Sequence, residues 1–337
     1  MNNWLSLSKK EQINLFNQAS NKTGLPPETI EKDAWVTLIL RMLFSSELSP
    51  YIVFKGGTSL SKAYKIIERF SEDIDLVIDK EYFNISSNGI TNRTYLERLR
   101  RASHLFSLNT IPEVLKKQFS EYGVSEDLYD ITVPNIKVST QDPEVVFVQY
   151  NSVFDKKDIK EEYLKSHVLI ETGARFLSEP NEEKQIMSII DENFTNNSFT
   201  ESPFFIKSVS PDKTMLEKMI LLHEEFNKPE DNIRNERMSR HLYDIYKISK
   251  TEYKQKAIKD SELFATIVNH RKIFTPIKPI DYDNLKLKDL DFIPYNEYND
   301  LYKADYKKMQ LNMIYDTDCP SYENLIKELE SLKIEIR

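Results

Sequence analysis

The chain has 337 residues, 40% of them hydrophobic and 11% aromatic, enough apolar surface to build a core and to exclude global disorder. Its 46 Lys+Arg against 54 Asp+Glu leave a net charge of -8, which excludes a uniformly basic nucleic-acid coat but not a local basic groove. A single cysteine, Cys319, excludes an intramolecular disulfide and a cysteine-based zinc site, and the five histidines form no HxxxH pair.

The first eleven residues are polar, and no apolar stretch approaches the ~18 residues of a membrane span. No signal peptide and no membrane partner is expected, and the expected location is the cytoplasm. Only six glycines are present, a usage that leans helical, and two of them are adjacent at Gly56 and Gly57.

Residues 6–20 read as an N-cap followed by an amphipathic helix, broken by Gly24-Leu25-Pro26-Pro27. A second helix starts near Pro27, with an apolar stripe through Ile30, Ala34, Trp35, Leu38, Ile39, Met42 and Leu43. Tyr51 to Lys55 is a β-branched and aromatic run, hence a strand; Gly56-Gly57-Thr58 is a turn, residues 59–67 have helical spacing, and 74–78 is again a strand. Residues 84–92 are loop-like, and 93–122 read as helices with a break near Asn109 to Pro112.

Between 91 and 125, six Lys/Arg face three Glu, a basic window that is either a solvated helix face or a nucleic-acid contact. Strands are expected at 131–133, 136–138, 145–150 and 168–171, and after Pro180 the chain reads as almost wholly helical. The expected architecture is α+β, with a mixed α/β core in residues 1–190 and a helical C-terminal domain in residues 200–337.

The chemistry-bearing pattern lies between Val53 and Ile78: strand, Gly-Gly-Thr, helix, then Ser71-Glu72-Asp73-Ile74-Asp75-Leu76 opening a second strand. Paired glycines let backbone N–H groups approach a phosphate, and a helix start favours an anion. Asp73 and Asp75, two residues apart on a strand, project from one face with Cα atoms roughly 7 Å apart. Two such carboxylates can hold a pair of Mg²⁺ ions that bridge a triphosphate and an attacking hydroxyl. Ile74, Leu76 and Ile78 would bury on the opposite face and set the register.

Gly56-Gly57-Thr58-Ser59-Leu60, the fourteen residues between Thr58 and Asp73, and Arg69-Phe70-Ser71-Glu72-Asp73-Ile74-Asp75-Leu76 resemble the signature of the AbiEii/AbiGii nucleotidyltransferase-like toxins. These belong to the DNA polymerase β-type nucleotidyltransferase superfamily and are relatives of the mycobacterial MenT toxins. Ile30 to Val36, Leu169 to Arg175, Leu216 to Met219 and Arg240 to Tyr246 resemble further segments of the family. The resemblance covers most of the chain and is most specific over 56–76.

The resemblance implies a mixed sheet carrying the active site, flanked by helices, with a helical C-terminal region closing a cleft. It implies that Gly56, Gly57 and Thr58 sit on the triphosphate and that Asp73 and Asp75 bind Mg²⁺ at a two-metal site. Glu171 matches the superfamily's third carboxylate, the alternative being an ordinary exposed strand residue. Lys218 matches the family's helical lysine, suited to a triphosphate contact. Asp244 matches the acidic residue of the last motif, although His241 stands where many relatives carry Asp. Arg240 would bind phosphate or pair with an acid on the next turn. Lys32 and Asp33 would line the cleft or form a structural ion pair.

The function so implied is that of an Mg²⁺-dependent nucleotidyltransferase, the toxin of a bacterial toxin–antitoxin or phage-defence system. It would transfer nucleotides from an NTP to the 3′ end of tRNA, opposed by a cognate antitoxin, often a winged-helix regulator. A protein or small-molecule acceptor, and a non-catalytic NTP-binding module, remain open at this level.

Overall fold

In the computed structural model the described residues are 3–85, 93–134, 144–154 and 166–337. The chain forms two compact units, Met1–Ala63 with Glu72–Ser208, and Tyr64–Ser71 with Val209–Arg337.

The first unit opens with α1 (Lys9–Thr23), capped by a reciprocal pair in which the Glu11 N–H donates to Ser8 Oγ and the Ser8 N–H to Glu11 Oε2. Gly24 ends it at φ +74°. Helix α2 (Pro27–Phe44) starts on Pro27, whose missing N–H costs nothing in a first turn, and is buried on all sides. Next come β1 (Ile52–Lys55), α3 (Gly56–Lys62) and β2 (Ile74–Ile78). Helix α3 stops well short of the 59–67 span that periodicity predicts. After it the chain turns through Lys65 at φ +54°, and Tyr64–Ser71 belong to the second unit.

Helices α4 (Arg93–Leu105) and α5 (Ile111–Tyr122) are joined without the expected break, by a π-helical turn at Phe106–Thr110. There Ser107 Oγ donates back to the Ser103 carbonyl, a bond that competes with the helical ladder, and Pro112 falls in the first turn of α5.

Strands β3 (Tyr129–Thr132), β4 (Glu144–Tyr150), β5 (His167–Gly173), β6 (Asn181–Ile186) and β7 (Phe204–Val209), with α6 (Ile189–Asn193) between the last two, complete a mixed sheet that among the described residues has seven strands in the order β3-β4-β5-β2-β1-β7-β6. The expected strand at 136–138 lies outside the described residues. Two strands correct the reading of the chain beyond Pro180 as helical. β6 is an edge strand of sequence NEEKQI, and polar side chains suit a sheet edge while erasing the apolar signal of a strand. β7 runs parallel beside β1, with Phe54 opposite Ser208.

The second unit is helical: α7 (Pro211–Phe226), α8 (Ser239–Ser249), α9 (Tyr253–Lys259), α10 (Ser261–Phe274), α11 (Asn296–Asn312) and α12 (Tyr322–Ile336). Its core includes Leu216, Leu242, Tyr243, Ile245, Tyr302, Tyr306, Leu325 and Leu329. Segment 64–71 docks here by backbone bonds, Phe70 N–H to the Met313 carbonyl at 2.6 Å and Tyr315 N–H to the Glu68 carbonyl at 3.0 Å. Among the described residues no helix is long and apolar enough to cross a membrane.

Candidate active site

The first unit carries the carboxylates. β1 pairs antiparallel with β2 so that Lys55 lies opposite Asp75, and β2 pairs parallel with β5 so that Asp75 lies opposite Glu171. Directly paired residues share a face, so Lys55, Asp75 and Glu171 form a row across three adjacent strands. Asp73 sits just before β2 rather than within it, and Ile74, Leu76 and Ile78 are buried as the alternation requires. Val77 is buried too, so both faces of β2 are covered beyond Asp75.

Gly56 has a specific steric duty. At φ +82° it adopts a conformation L side chains avoid, and a Cβ there would collide with the Asp75 carboxylate. The carboxylate therefore occupies the space that the missing side chain leaves. Thr58 is buried, and its hydroxyl donates to the Asp73 carbonyl at 2.6 Å, tying the start of α3 to the start of β2. What the Thr58 side chain supplies is the placement of Asp73.

Burial, then the neighbouring Asp75 and Asp73, push the Glu171 carboxyl up to about 7, with Lys55 opposing. Lys55 also lies over the Phe176 ring, 3.5 Å from its centroid. Among the described residues no three His, Cys, Asp or Glu side chains form a ready-made metal cage. The donor set nonetheless fits Mg²⁺, which is commonly held by one or two carboxylates and completed by substrate phosphates and water. A cation would also relieve the mutual repulsion recorded in the raised Glu171.

The second unit gathers the remaining expected residues. Helices α7 and α8 pack together and bring Lys218 and Asp244 into a buried ion pair of 3.0 Å. Asp244 is completely buried and accepts two further bonds from Arg69, Nε at 2.7 Å and Nη2 at 2.8 Å. Burial alone would raise Asp244, but Arg69 and Lys218 outweigh it and hold its carboxyl far below the usual range. Lys218 Nζ also lies 3.3 Å from His241 Nδ1. Burial, then the charges of Lys218 and Arg240, keep that imidazole neutral by lowering its pKa well below the ordinary value. Asp244 is thus the shared anion of Arg69 and Lys218.

Two residues, one in each unit, escape motif reasoning. Arg69 falls within the matched signature yet has no evident role until its carboxylate partner, 175 residues away, is known. Lys55 could have been found from strand alternation, since it closes β1 directly opposite Asp75.

A family model described as the nucleotidyl transferase AbiEii toxin of type IV toxin–antitoxin systems matches residues 38–328. The chain belongs to the AbiEii family. It is accordingly a nucleotidyltransferase, the toxin of a type IV toxin–antitoxin system, with an NTP as its substrate and an antitoxin as its counterpart. Among solved structures it is similar to MenT4, a nucleotidyltransferase toxin from Mycobacterium tuberculosis H37Rv, at 12% identity and a TM-score of 0.43, over 98% of this chain and 99% of that one. No curated protein sequence matches the chain.

Proposed function

We propose that this AbiEii toxin transfers a nucleotidyl group from an NTP to the 3′ end of tRNA, with Mg²⁺ held by Asp73, Asp75 and Glu171. The observation that carries this reading is the Asp75–Glu171 register with Gly56 cut away to admit the Asp75 carboxylate. When bound, Mg²⁺ supplies charge neutralisation on the triphosphate and lowers the pKa of the acceptor hydroxyl. The acceptor oxygen forms a bond to the α-phosphorus, the bond from that phosphorus to the bridging oxygen breaks, and pyrophosphate leaves. Glu171, opposite Asp75 on the neighbouring strand, would take the proton of the attacking hydroxyl. Gly56-Gly57-Thr58, at the start of α3, would take the triphosphate. The exposed Arg98 and Arg101 on α4 support an RNA acceptor.

In the cell this activity would halt translation, serve phage defence and be opposed by an antitoxin of the winged-helix regulator type. The test is incubation with total tRNA, Mg²⁺ and each α-labelled NTP, comparing wild type with Asp73→Ala/Asp75→Ala. Label on RNA with wild type alone supports the proposal. Label on protein reassigns the acceptor, and binding of NTP without pyrophosphate release overturns catalysis.

A further inference from the structure

Helix α2 carries three consecutive charged residues, Glu31, Lys32 and Asp33, that are 1%, 2% and 9% exposed. Successive helical side chains point ~100° apart, so only a helix enclosed on all sides can bury three in a row. Each reaches a different segment of the first unit. Glu31 accepts from Ser152 Oγ at 2.6 Å and from the Val153 N–H at 2.8 Å. Lys32 Nζ lies 2.5 Å from Glu72 Oε2. Asp33 pairs through Oδ1 with Lys62 and accepts the Ile189 N–H on Oδ2 at 2.8 Å.

The partners of Lys32 and Asp33 share a location. Lys62 ends α3, just before the chain leaves the first unit at Tyr64, and Glu72 is the first residue after its return. Both ends of the Tyr64–Ser71 excursion are thus fastened to neighbouring residues of one helix. The return end leads straight into Asp73. Buried ion pairs contribute little net stability compared with apolar replacements, so stability alone does not account for two of them at this point. Glu72 is moreover a further carboxylate beside Asp73 in the chain, and its side chain retains 20% exposure.

We propose that Lys32 and Asp33 are positioning residues for nucleotidyl transfer, clamping the two ends of the excursion so that Asp73 keeps its place and Glu72 is held out of the cation site. This inference rests on the assignment of Asp73, Asp75 and Glu171 as the cation ligands. Lys32 acts by occupying Glu72; once released, Glu72 competes for the divalent ion and repels the triphosphate.

The experiment compares wild type, Lys32→Met, Lys32→Arg, Glu72→Gln and Lys32→Met/Glu72→Gln. Mn²⁺ uptake is read by electron paramagnetic resonance, and kcat and KM for NTP are measured by pyrophosphate release. Lys32→Met is expected to raise KM for NTP about tenfold and to alter the bound-Mn²⁺ spectrum. Removing the Glu72 charge as well should bring KM back to within about threefold of wild type, and Lys32→Arg should stay close to wild type. An unchanged KM and spectrum in Lys32→Met, or a double variant no better than the single, overturns the inference. Should Lys32→Met fail to fold, Glu72→Gln decides alone: retained Mn²⁺ uptake and KM supports the restraint, and lost uptake makes Glu72 a ligand and overturns it. A wild type that takes up no Mn²⁺ overturns the ligand assignment and this inference with it, whereas the other outcomes leave that assignment standing.

Discussion

Gly56→Ala separates two reasons for a glycine, because Gly24 provides its control within the same unit. Gly24 has φ +74° and open space where an added Cβ would stand, with nothing within 4 Å of it, whereas Gly56 has φ +82° and the Asp75 carboxylate in that space. Placing alanine in the left-handed region costs about 1–2 kcal/mol, partly offset by about 0.4–1 kcal/mol from a less flexible unfolded chain. Gly24→Ala should therefore lose about 1 kcal/mol and keep full transferase activity. At Gly56 the new carbon would also lie 2.8 Å from Asp75 Cγ and 3.2 Å from Asp75 Cβ, so turning the carboxylate alone does not clear it. Overpacking of this kind adds about 1–3 kcal/mol. Displacing Asp75 from its row with Glu171 should cut transfer about 100-fold or more, since misplacement of a reacting group by about 1 Å has that effect. Urea denaturation of both variants, with pyrophosphate release at saturating NTP, measures the two quantities. A Gly56→Ala protein as stable as Gly24→Ala and fully active would refute the reasoning.

Asp244→Asn leaves the buried Arg69 and Lys218 without their shared anion, and urea denaturation at pH 7 should show a loss of about 3–5 kcal/mol; a loss below about 1 kcal/mol would show that the pair of cations is accommodated otherwise. Because the folded carboxyl of Asp244 is depressed, its contribution is present above the unfolded value near ~4 and disappears as pH falls through the folded one, so the variant's acid limb should be flatter. Glu31 has the opposite sign: burial pushes it up to about 7 against the bonds from Ser152 and Val153, so the folded state holds the extra proton and stability falls as pH rises from ~4 to ~7. Glu31→Gln should flatten that window by up to about 3 kcal/mol in denaturation titrations between about pH 4.5 and 8, and an unchanged slope would place the proton elsewhere.

Much of the strand–helix–strand segment that carries the candidate site was legible because its signals are local, although the turn expected at Gly56-Gly57-Thr58 is the first turn of α3. A β-branched run, two adjacent glycines, and acids alternating with Ile74 and Leu76 each act over a few residues, and β1, β2 and the Asp73–Asp75 spacing follow from them. The Ser8–Glu11 cap of α1 and the stripe of α2 belong to the same class. Where local signals were weak or contradictory, the reading failed. The polar edge strand β6 has no apolar alternation to detect, and α3 ends at Lys62 although apolar spacing continues through Ile67.

The amino-acid sequence by itself determined the candidates for the chemistry, the Gly-Gly-Thr run and the two aspartates, and the family they mark. Only the tertiary structure decided what each one faces. The Lys55–Asp75–Glu171 row exists because β1, β2 and β5 are neighbours in space, and β5 begins nearly a hundred residues after β2. Arg69 and Asp244 meet across 175 residues, and Lys32 and Asp33 find their partners on both sides of the 64–71 excursion. Periodicity and turn chemistry report interactions within a few residues, whereas ion pairs and strand register are set by which segments the fold brings together, and no local pattern encodes that choice.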